Sequence, residues 1–354
     1  MMSGQLLSQV GNLKNYWHVI GLATEVKRKC SLKRALYGHR FLIWRDGDDL
    51  LHALTDCCAH KQAPLEVADF QSSQIVCPYH GWKYDASGKL QSVPSSPSAA
   101  NKLNCKVDDF PICERYGFVW IYFGDVEADG TPKNEIPNIE PYVGSKWSKR
   151  LLKKEFESTE DLLIDNFMDP THTGLVHDGI IRSGESTSEH DVTVTANRDG
   201  VLVDFKEQVE KIGWGMQLLF GSEMKVKHTD EFLFPNLVRV VYKINGSERF
   251  VALIACSPTE KLNGGKTLVF VQVRYRFGWI TPFLWPFVRV LTDKVLQQDF
   301  EITQKQFANR QRFENVKENL VAADLVASQV KKLRRKMVAG ETISESEQSI
   351  KLRF

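Results

Sequence analysis

The chain has 354 residues, 42% of them hydrophobic and 25% charged, a composition that suits a globular protein long enough for two domains with ample core. Its 46 basic side chains balance 44 acidic ones, and a net charge of +2 offers no electrostatic footprint for nucleic acid or a membrane surface. Met1 to Gly11 lacks the apolar core of a signal peptide. The most apolar stretch, Trp279 to Leu291, is interrupted by Pro282, Pro286 and Arg289 and falls short of the ~20 residues that a membrane-spanning helix needs. Seven cysteines without an export signal predict reduced thiols or metal ligands over a disulfide framework, and hence a cytoplasmic protein.

In chain order, Tyr16 to Ile20, Arg40 to Arg45 and Leu50 to Leu54 are strand-like runs separated by turns, Asp46-Gly47-Asp48-Asp49 among them. They predict a small antiparallel barrel or sandwich. Two short motifs are set into it: Cys58-Ala59-His60 and, sixteen residues after His60, Cys77-Pro78-Tyr79-His80. Each loop presents one thiolate and one imidazole. Two cysteines on one iron and two histidines on the other define a [2Fe–2S] cluster of the Rieske type, whose potential the imidazoles raise. Tetrahedral zinc also accepts two of each, but zinc patterns group Cys with Cys and His with His. One of each per loop favours the cluster, held by Cys58, His60, Cys77 and His80. Cys57 competes with Cys58, and the single residue between Cys58 and His60 favours the latter, leaving Cys57 as a small core residue.

Arg115 to Gly124 reads as a strand closing this first domain. Asp125 to Lys133 and the proline-punctuated Ile136 to Pro141 read as a linker, which places the boundary near residue 140 and divides the chain into 1–140 and 141–354. A helical segment over 158–177 follows, carrying Asn166, Asp169, Pro170, His172, Gly174 and His177. Two imidazoles joined by a carboxylate from elsewhere make the facial triad of non-heme Fe(II) oxygenases, which leaves coordination positions open. Asp169 and His172, three apart, share a helix face, whereas His177 would sit about 140° round from His172 on an ideal helix, so Pro170 and Gly174 must bend the chain. The Gly/Ser/Thr-rich stretch from Asp178 to Glu189 reads equally as a mobile loop beside the site or a plain surface connection.

Six strand-like runs between Asp191 and Phe277 predict a curved sheet with helices on one side, an α+β arrangement able to wall a cavity. Trp214, Met216, Leu218, Phe220 and Phe283 are candidate lining residues. A helix over Asp293 to Arg310 contains Asp293, Asp299 and Glu301, the acidic candidates for the missing carboxylate. Asn315 to Met337 reads as a charged amphipathic helix whose closing lysines and arginines suit a helix C-terminus.

Cys58-x-His60 with Cys77-Pro78-Tyr79-His80-Gly81-Trp82-Lys83-Tyr84-Asp85, followed by Asn166-x-x-Asp169-x-x-His172-x-x-x-x-His177, resembles the large (alpha) subunit of the Rieske non-heme iron oxygenases, over most of the chain from about Tyr16. The resemblance implies an N-terminal all-β Rieske domain, a helix-grip (START-like) catalytic domain with a curved antiparallel sheet, and a homotrimer. It implies mononuclear Fe(II) on His172, His177 and Asp299, because the family's third ligand is an Asp in a late helix, in a Gln-Asp setting like Gln298-Asp299. Asn166 would sit near the iron as a non-ligand. Asp169 corresponds to a carboxylate that bridges a cluster imidazole, here His80, and an iron imidazole, here His172, electrons passing between subunits. The implied partners are dioxygen, a small organic substrate, and a separate flavin or ferredoxin reductase supplying electrons from NAD(P)H. The chain is most similar in pattern to the homotrimeric monooxygenases and demethylases. Ring dihydroxylation is the alternative within the enzyme class, and an electron carrier or redox sensor is the alternative from another. One departure stands out: where the family usually has Arg-Gly after the first His, this chain has Lys61-Gln62.

Overall fold

The computed structural model describes residues 10–353 apart from 140–141, 143, 145, 179, 181–188, 212–222, 262–263 and 314–315, and describes no side chains at 208–211 and 223–224. It divides into two compact units, residues 1–136 with 257–264, and residues 137–256 with 265–354.

The first unit is built from short antiparallel sheets. β1 (Trp17–Leu22), β2 (Ser31–Leu36), β3 (His39–Arg45), β4 (Leu51–Thr55), β5 (Glu66–Asp69), β6 (Gln74–Val76), β7 (Lys83–Tyr84), β8 (Leu90–Ser92), β9 (Ile112–Arg115) and β10 (Phe118–Tyr122) form sheets in the orders β2-β3-β4, β5-β6-β7-β8 and β1-β10-β9. Between β8 and β9 lies the single turn-and-a-half helix α1 (Ala99–Leu103). Leu42, Trp44, Leu54, Ile75 and Tyr84 pack into one buried cluster with Cys58 and Cys77, so the motif cysteines are part of the core and inherit its rigidity.

His39 shows what that core does to a polar group. It is 3% exposed, between the rings of Phe41 and Phe110, with Nε2 3.0 Å from Thr55 Oγ1. Burial pushes its pKa down to about 4, against an upward pull from Asp108. Below pH 6.5 the unfolded chain takes up a proton that the folded chain refuses, so stability falls as pH drops from 6.5 towards 4. Between pH 7 and pH 5 the loss is about 2 kcal/mol. Urea titrations at the two pH values are expected to show a larger drop in midpoint for the wild type than for His39→Gln.

The second unit holds a nine-stranded sheet of β11 (Ser148–Phe156), β12 (Glu189–Asn197), β13 (Gly200–Phe205), β14 (Gln208–Lys211), β15 (Glu223–Leu233), β16 (Leu237–Ile244), β17 (Ser247–Pro258), β18 (Thr267–Tyr275) and β19 (Ser346–Arg353). The order is β11-β18-β17-β16-β15-β13-β12-β19, with β14 also paired to β15. Four helices accompany it: α2 (Glu160–Met168), α3 (Thr173–Val176), α4 (Trp285–Arg312) and α5 (Leu325–Ala339). On β12 the alternate residues His190, Val192, Val194 and Ala196 are buried, the period of a strand with one face in the core. On α5, Val326, Val330, Leu333 and Met337 are buried at helical spacing. The α+β class therefore holds.

Several boundaries differ from expectation. The helix expected over 158–177 is two helices with a break at Asp169–Pro170. α4 starts at Trp285, because Pro286 falls in its first turn, where the absent N–H has no intrahelical partner to lose. The helix expected from Asn315 begins only at Leu325. β11 and β19, both rich in charged or polar residues, were not anticipated as strands.

Candidate active site

Glu160 and Asp161 open α2, where negative charge complements the helix dipole. The helix ends at Met168 because a residue before proline avoids the helical region, and Asp169 accordingly adopts an extended conformation (φ −92°, ψ 110°). Asp169 and His172 thus do not share a helix face. Instead α3 is a single turn with His172 at its N-terminal boundary and His177 at its C-terminal one. This brings both imidazoles to Asp299 of α4: His177 Nε2 lies 3.1 Å and His172 Nε2 3.5 Å from Asp299 Oδ1. One ligand atom from each of the three falls within 4.8 Å of the others. Glu301 and Asp293 stay on the helix surface, bonded to Gln297 and to Arg150.

Asp299 is 3% exposed. Burial pushes its pKa up, but hydrogen bonds from His172, His177 and Asn166 outweigh it and hold the carboxyl well below the usual range. Asn166 Nδ2 donates to Oδ1 at 2.9 Å. The imidazoles are oriented from behind. His172 Nδ1 lies 2.6 Å from the Asp169 carbonyl oxygen and His177 Nδ1 lies 3.0 Å from Gln298 Oε1. Both acceptors are oxygens, so each Nδ1 carries the hydrogen and each Nε2 offers a lone pair towards Asp299. Two neutral imidazoles and a charged carboxylate converging in this way suit a divalent iron ion. The sequence reading named Gln298 only as part of the Asp299 setting, and its contact with His177 needed the fold. One expected contact is absent: the Asp169 carboxylate is 3.9 Å from His172 Nδ1, because Oδ1 instead accepts from the Thr171 amide (2.8 Å) and hydroxyl (2.6 Å).

The four cluster-motif residues lie on two loops with one hydrogen-bonding frame. In the first, the Gln62 amide donates to the Cys58 carbonyl (2.9 Å) and the Cys58 amide to the Ala63 carbonyl (2.8 Å). In the second, the Gly81 amide donates to the Cys77 carbonyl (2.8 Å) and the Cys77 amide to the Trp82 carbonyl (2.8 Å). Both thiols are buried, Cys58 Sγ lying 3.1 Å from the Tyr84 hydroxyl. His60 is exposed and stacks on Trp82, 4.6 Å between ring centroids. The two imidazoles meet edge to face at 4.8 Å. His80 Nδ1 is buried and, among the described residues, has no hydrogen-bond partner, which is costly unless that lone pair serves as a ligand. The donor set fits a Rieske cluster.

The shared frame explains the Gln62 departure. The residue closing each loop must be left-handed, and Gly81 (φ +74°) meets this freely while Gln62 (φ +59°) carries a side chain there. Gln62→Gly is expected to stabilise the chain by about 1 kcal/mol. A thermal melt of the two proteins checks this, with an unchanged or lower midpoint counting against strain at this position.

The triad opens onto a cavity of about 230 Å³. Its walls come from α4 (Phe287, Leu291, Leu296) and from alternate residues of the sheet, such as Val240, Ile254 and Val271. Among the described lining residues, apolar side chains dominate; beside the triad and Asp169, the ionisable ones are His228 and Asp230 of β15 and the Tyr242 phenol. Phe283 is not a lining residue: it lies in the Gly278–Leu284 turn before α4 and is 74% exposed. Trp214, Met216, Leu218 and Phe220 lie outside the described residues, as does most of Asp178 to Glu189.

Residues 16–111 match the Rieske [2Fe-2S] domain and residues 156–340, more than half of the chain, match the vanillate O-demethylase oxygenase C-terminal domain. The chain belongs to the Rieske non-heme iron oxygenase large subunits. It is 32% identical over 189 residues to a putative toluene-4-sulfonate monooxygenase iron-sulfur subunit of Comamonas testosteroni (52% of this chain, 53% of the relative). It is 28% identical over 185 residues to chlorophyllide a oxygenase of Oryza sativa subsp. japonica (52% and 32%). These matched stretches thus span about half or less of the relatives' own length. In fold, dicamba monooxygenase bound to dicamba superposes with a TM-score of 0.77 at 18% identity (92% of this chain, 98% of that one), and the Pseudomonas putida protein NdmA with caffeine with 0.76 at 22% identity (94% and 93%). Among the described residues, no helix is long and apolar enough to cross a membrane.

Proposed function

We propose that the protein is the oxygenase component of a monooxygenase or demethylase system acting on a small organic, aromatic or methylated, compound. The observation that carries this reading is the convergence of His172, His177 and Asp299 on a mostly apolar cavity in a chain that also has a Rieske domain. In this reading, residues 1–140 hold a [2Fe–2S] cluster on Cys58, His60, Cys77 and His80, and residues 141–354 hold iron on the triad. When bound, the two centres supply dioxygen activation with electrons delivered one at a time from NAD(P)H through a separate flavin or ferredoxin reductase. The chain's own residues do the rest. Gln298 and the Asp169 carbonyl fix the imidazole planes, Asn166 steadies Asp299, and the aliphatic walls exclude water and position the substrate.

NdmA is named as a methylxanthine N1-demethylase, and other relatives are named as monooxygenases. That supports hydroxylation, including hydroxylation of an O- or N-methyl group that then leaves as formaldehyde, over ring dihydroxylation. A cytoplasmic homotrimer is part of the proposal, and the exposed Trp279, Phe283 and Val290 provide apolar surface that assembly would cover. A single-turnover experiment tests it. The chemically reduced protein is mixed with oxygen and members of a panel of methylated and aromatic compounds. Oxygen-dependent product from one compound is the expected result. Cluster reoxidation without product from any of them, together with an iron content matching the cluster alone, would make the protein an electron carrier.

A further inference from the structure

The described cavity wall carries one acid–imidazole pair outside the metal triad. His228 and Asp230 are alternate residues of β15, on the face that also presents Val226 to the cavity, opposite Tyr242 and Val240 of β16 in register. Both are buried, at 3% and 5% exposure. The His228 ring is sandwiched between Phe205, at 3.7 Å between centroids, and Tyr242, at 5.3 Å, each nearly parallel to it at 18°. Its plane is therefore fixed, with Nε2 3.7 Å from Asp230 Oδ2. A buried polar pair costs free energy in an apolar wall, and such groups commonly set ligand orientation in small-molecule pockets.

Resting on the oxygenase reading, which makes this cavity the substrate site, we propose that His228 and Asp230 form its recognition pole, and that the substrate is a small ring compound bearing a hydroxyl or N–H donor in place of a carboxylate or sulfonate. No lysine or arginine is among the described lining residues. A protonated His228 would be neutralised by Asp230, and a neutral one leaves Asp230 as a net negative charge; neither state offers an anion a net positive partner. A donor group, by contrast, finds the carboxylate and the imidazole as acceptors, while Val240, Ala252 and Ile254 contact the ring. Positioning a molecule through this pole sets which of its carbons lies towards the triad.

Binding to the metal-loaded protein, measured by calorimetry under anaerobic conditions without reductase, tests this with three probes of similar size: 4-methoxyphenol, 1,4-dimethoxybenzene and 4-methoxybenzoate. The phenol is expected to bind about tenfold or more tighter than either other probe, the scale of a hydrogen bond to a charged group. Asp230→Asn is expected to erase most of that preference, and His228→Phe, which keeps the ring stack, to weaken it. Tighter binding of the benzoate, equal binding of all three, no binding of any at millimolar concentration, or a preference unchanged in both variants would overturn the proposal. Product analysis after adding oxygen is scored separately. A phenol preference without product sinks the oxygenase reading alone, and turnover of the benzoate with no phenol preference sinks the recognition pole alone.

Discussion

Asp299→Ala is expected to lose one iron per chain and all measurable turnover while keeping its acid-labile sulfide and its Rieske absorbance. Asp299 is the one carboxylate at the triad, and it arrives from a helix more than a hundred residues beyond the two imidazoles. Without it, His172 and His177 offer two neutral nitrogens, a weak set for a hard divalent ion. The loss should exceed the ~10–100-fold in metal affinity that follows removal of a group merely orienting a ligand. Asp299→Asn separates charge from shape, since its carbonyl oxygen can still accept the Asn166 hydrogen bond of 2.9 Å. If the asparagine variant also loses the iron, with folding intact by melting temperature, the charge is what the site needs. Full iron content in both variants would remove Asp299 from the ligand set.

Asp169→Ala is expected to do the opposite, leaving both metals bound and lowering turnover by roughly 10–100-fold. The His172 ring is held by the Asp169 backbone carbonyl, which survives the substitution. The carboxylate itself reaches no imidazole in the isolated chain: it caps Thr171 and its side chain is 39% exposed. That exposure is what a carboxylate awaiting the cluster imidazole of a neighbouring subunit would show, the role that the family resemblance assigns it opposite His80. Asp169→Asn keeps the oxygen that accepts from the Thr171 amide, so it controls for the local turn. Slow turnover in both variants, with iron and sulfide unchanged, supports the bridge. Iron loss as the sole defect would refute it and make Asp169 a support of the iron site only.

The cluster residues were legible because ligand chemistry and spacing coincide within two short loops, where the chain itself enforces proximity. His172 and His177 were legible as a pair, but their geometry was not. A proline read as a bend turned out to end one helix and leave a single turn whose two boundaries are the imidazoles. Asp299 was separable from Asp293 and Glu301 through the family pattern, and in the structure burial makes the same distinction. The cavity wall was not legible. Its residues are every second position on neighbouring strands, and which half of each strand faces inward depends on register that a single sequence does not display. β11 eluded reading for a related reason: Lys149, Arg150, Lys153 and Lys154 obscure its period, yet it pairs with β18 along its whole length. Gln62 was visible as a departure, and its left-handed backbone is the physical content of that departure.

The last strand has a practical bearing on handling this protein. β19 is the terminal member of the large sheet and covers β12 from Glu189 to Ala196. Trimming the chain at residue 345, as one might to remove a polar tail, would strip β12 of its neighbour and leave a row of unpaired amides and carbonyls, a template for intermolecular strand addition. Affinity tags and fusion partners are therefore better joined through a spacer beyond Phe354 than by replacing these residues. Precipitation of a truncated preparation would report an uncovered edge and say nothing about the metal centres.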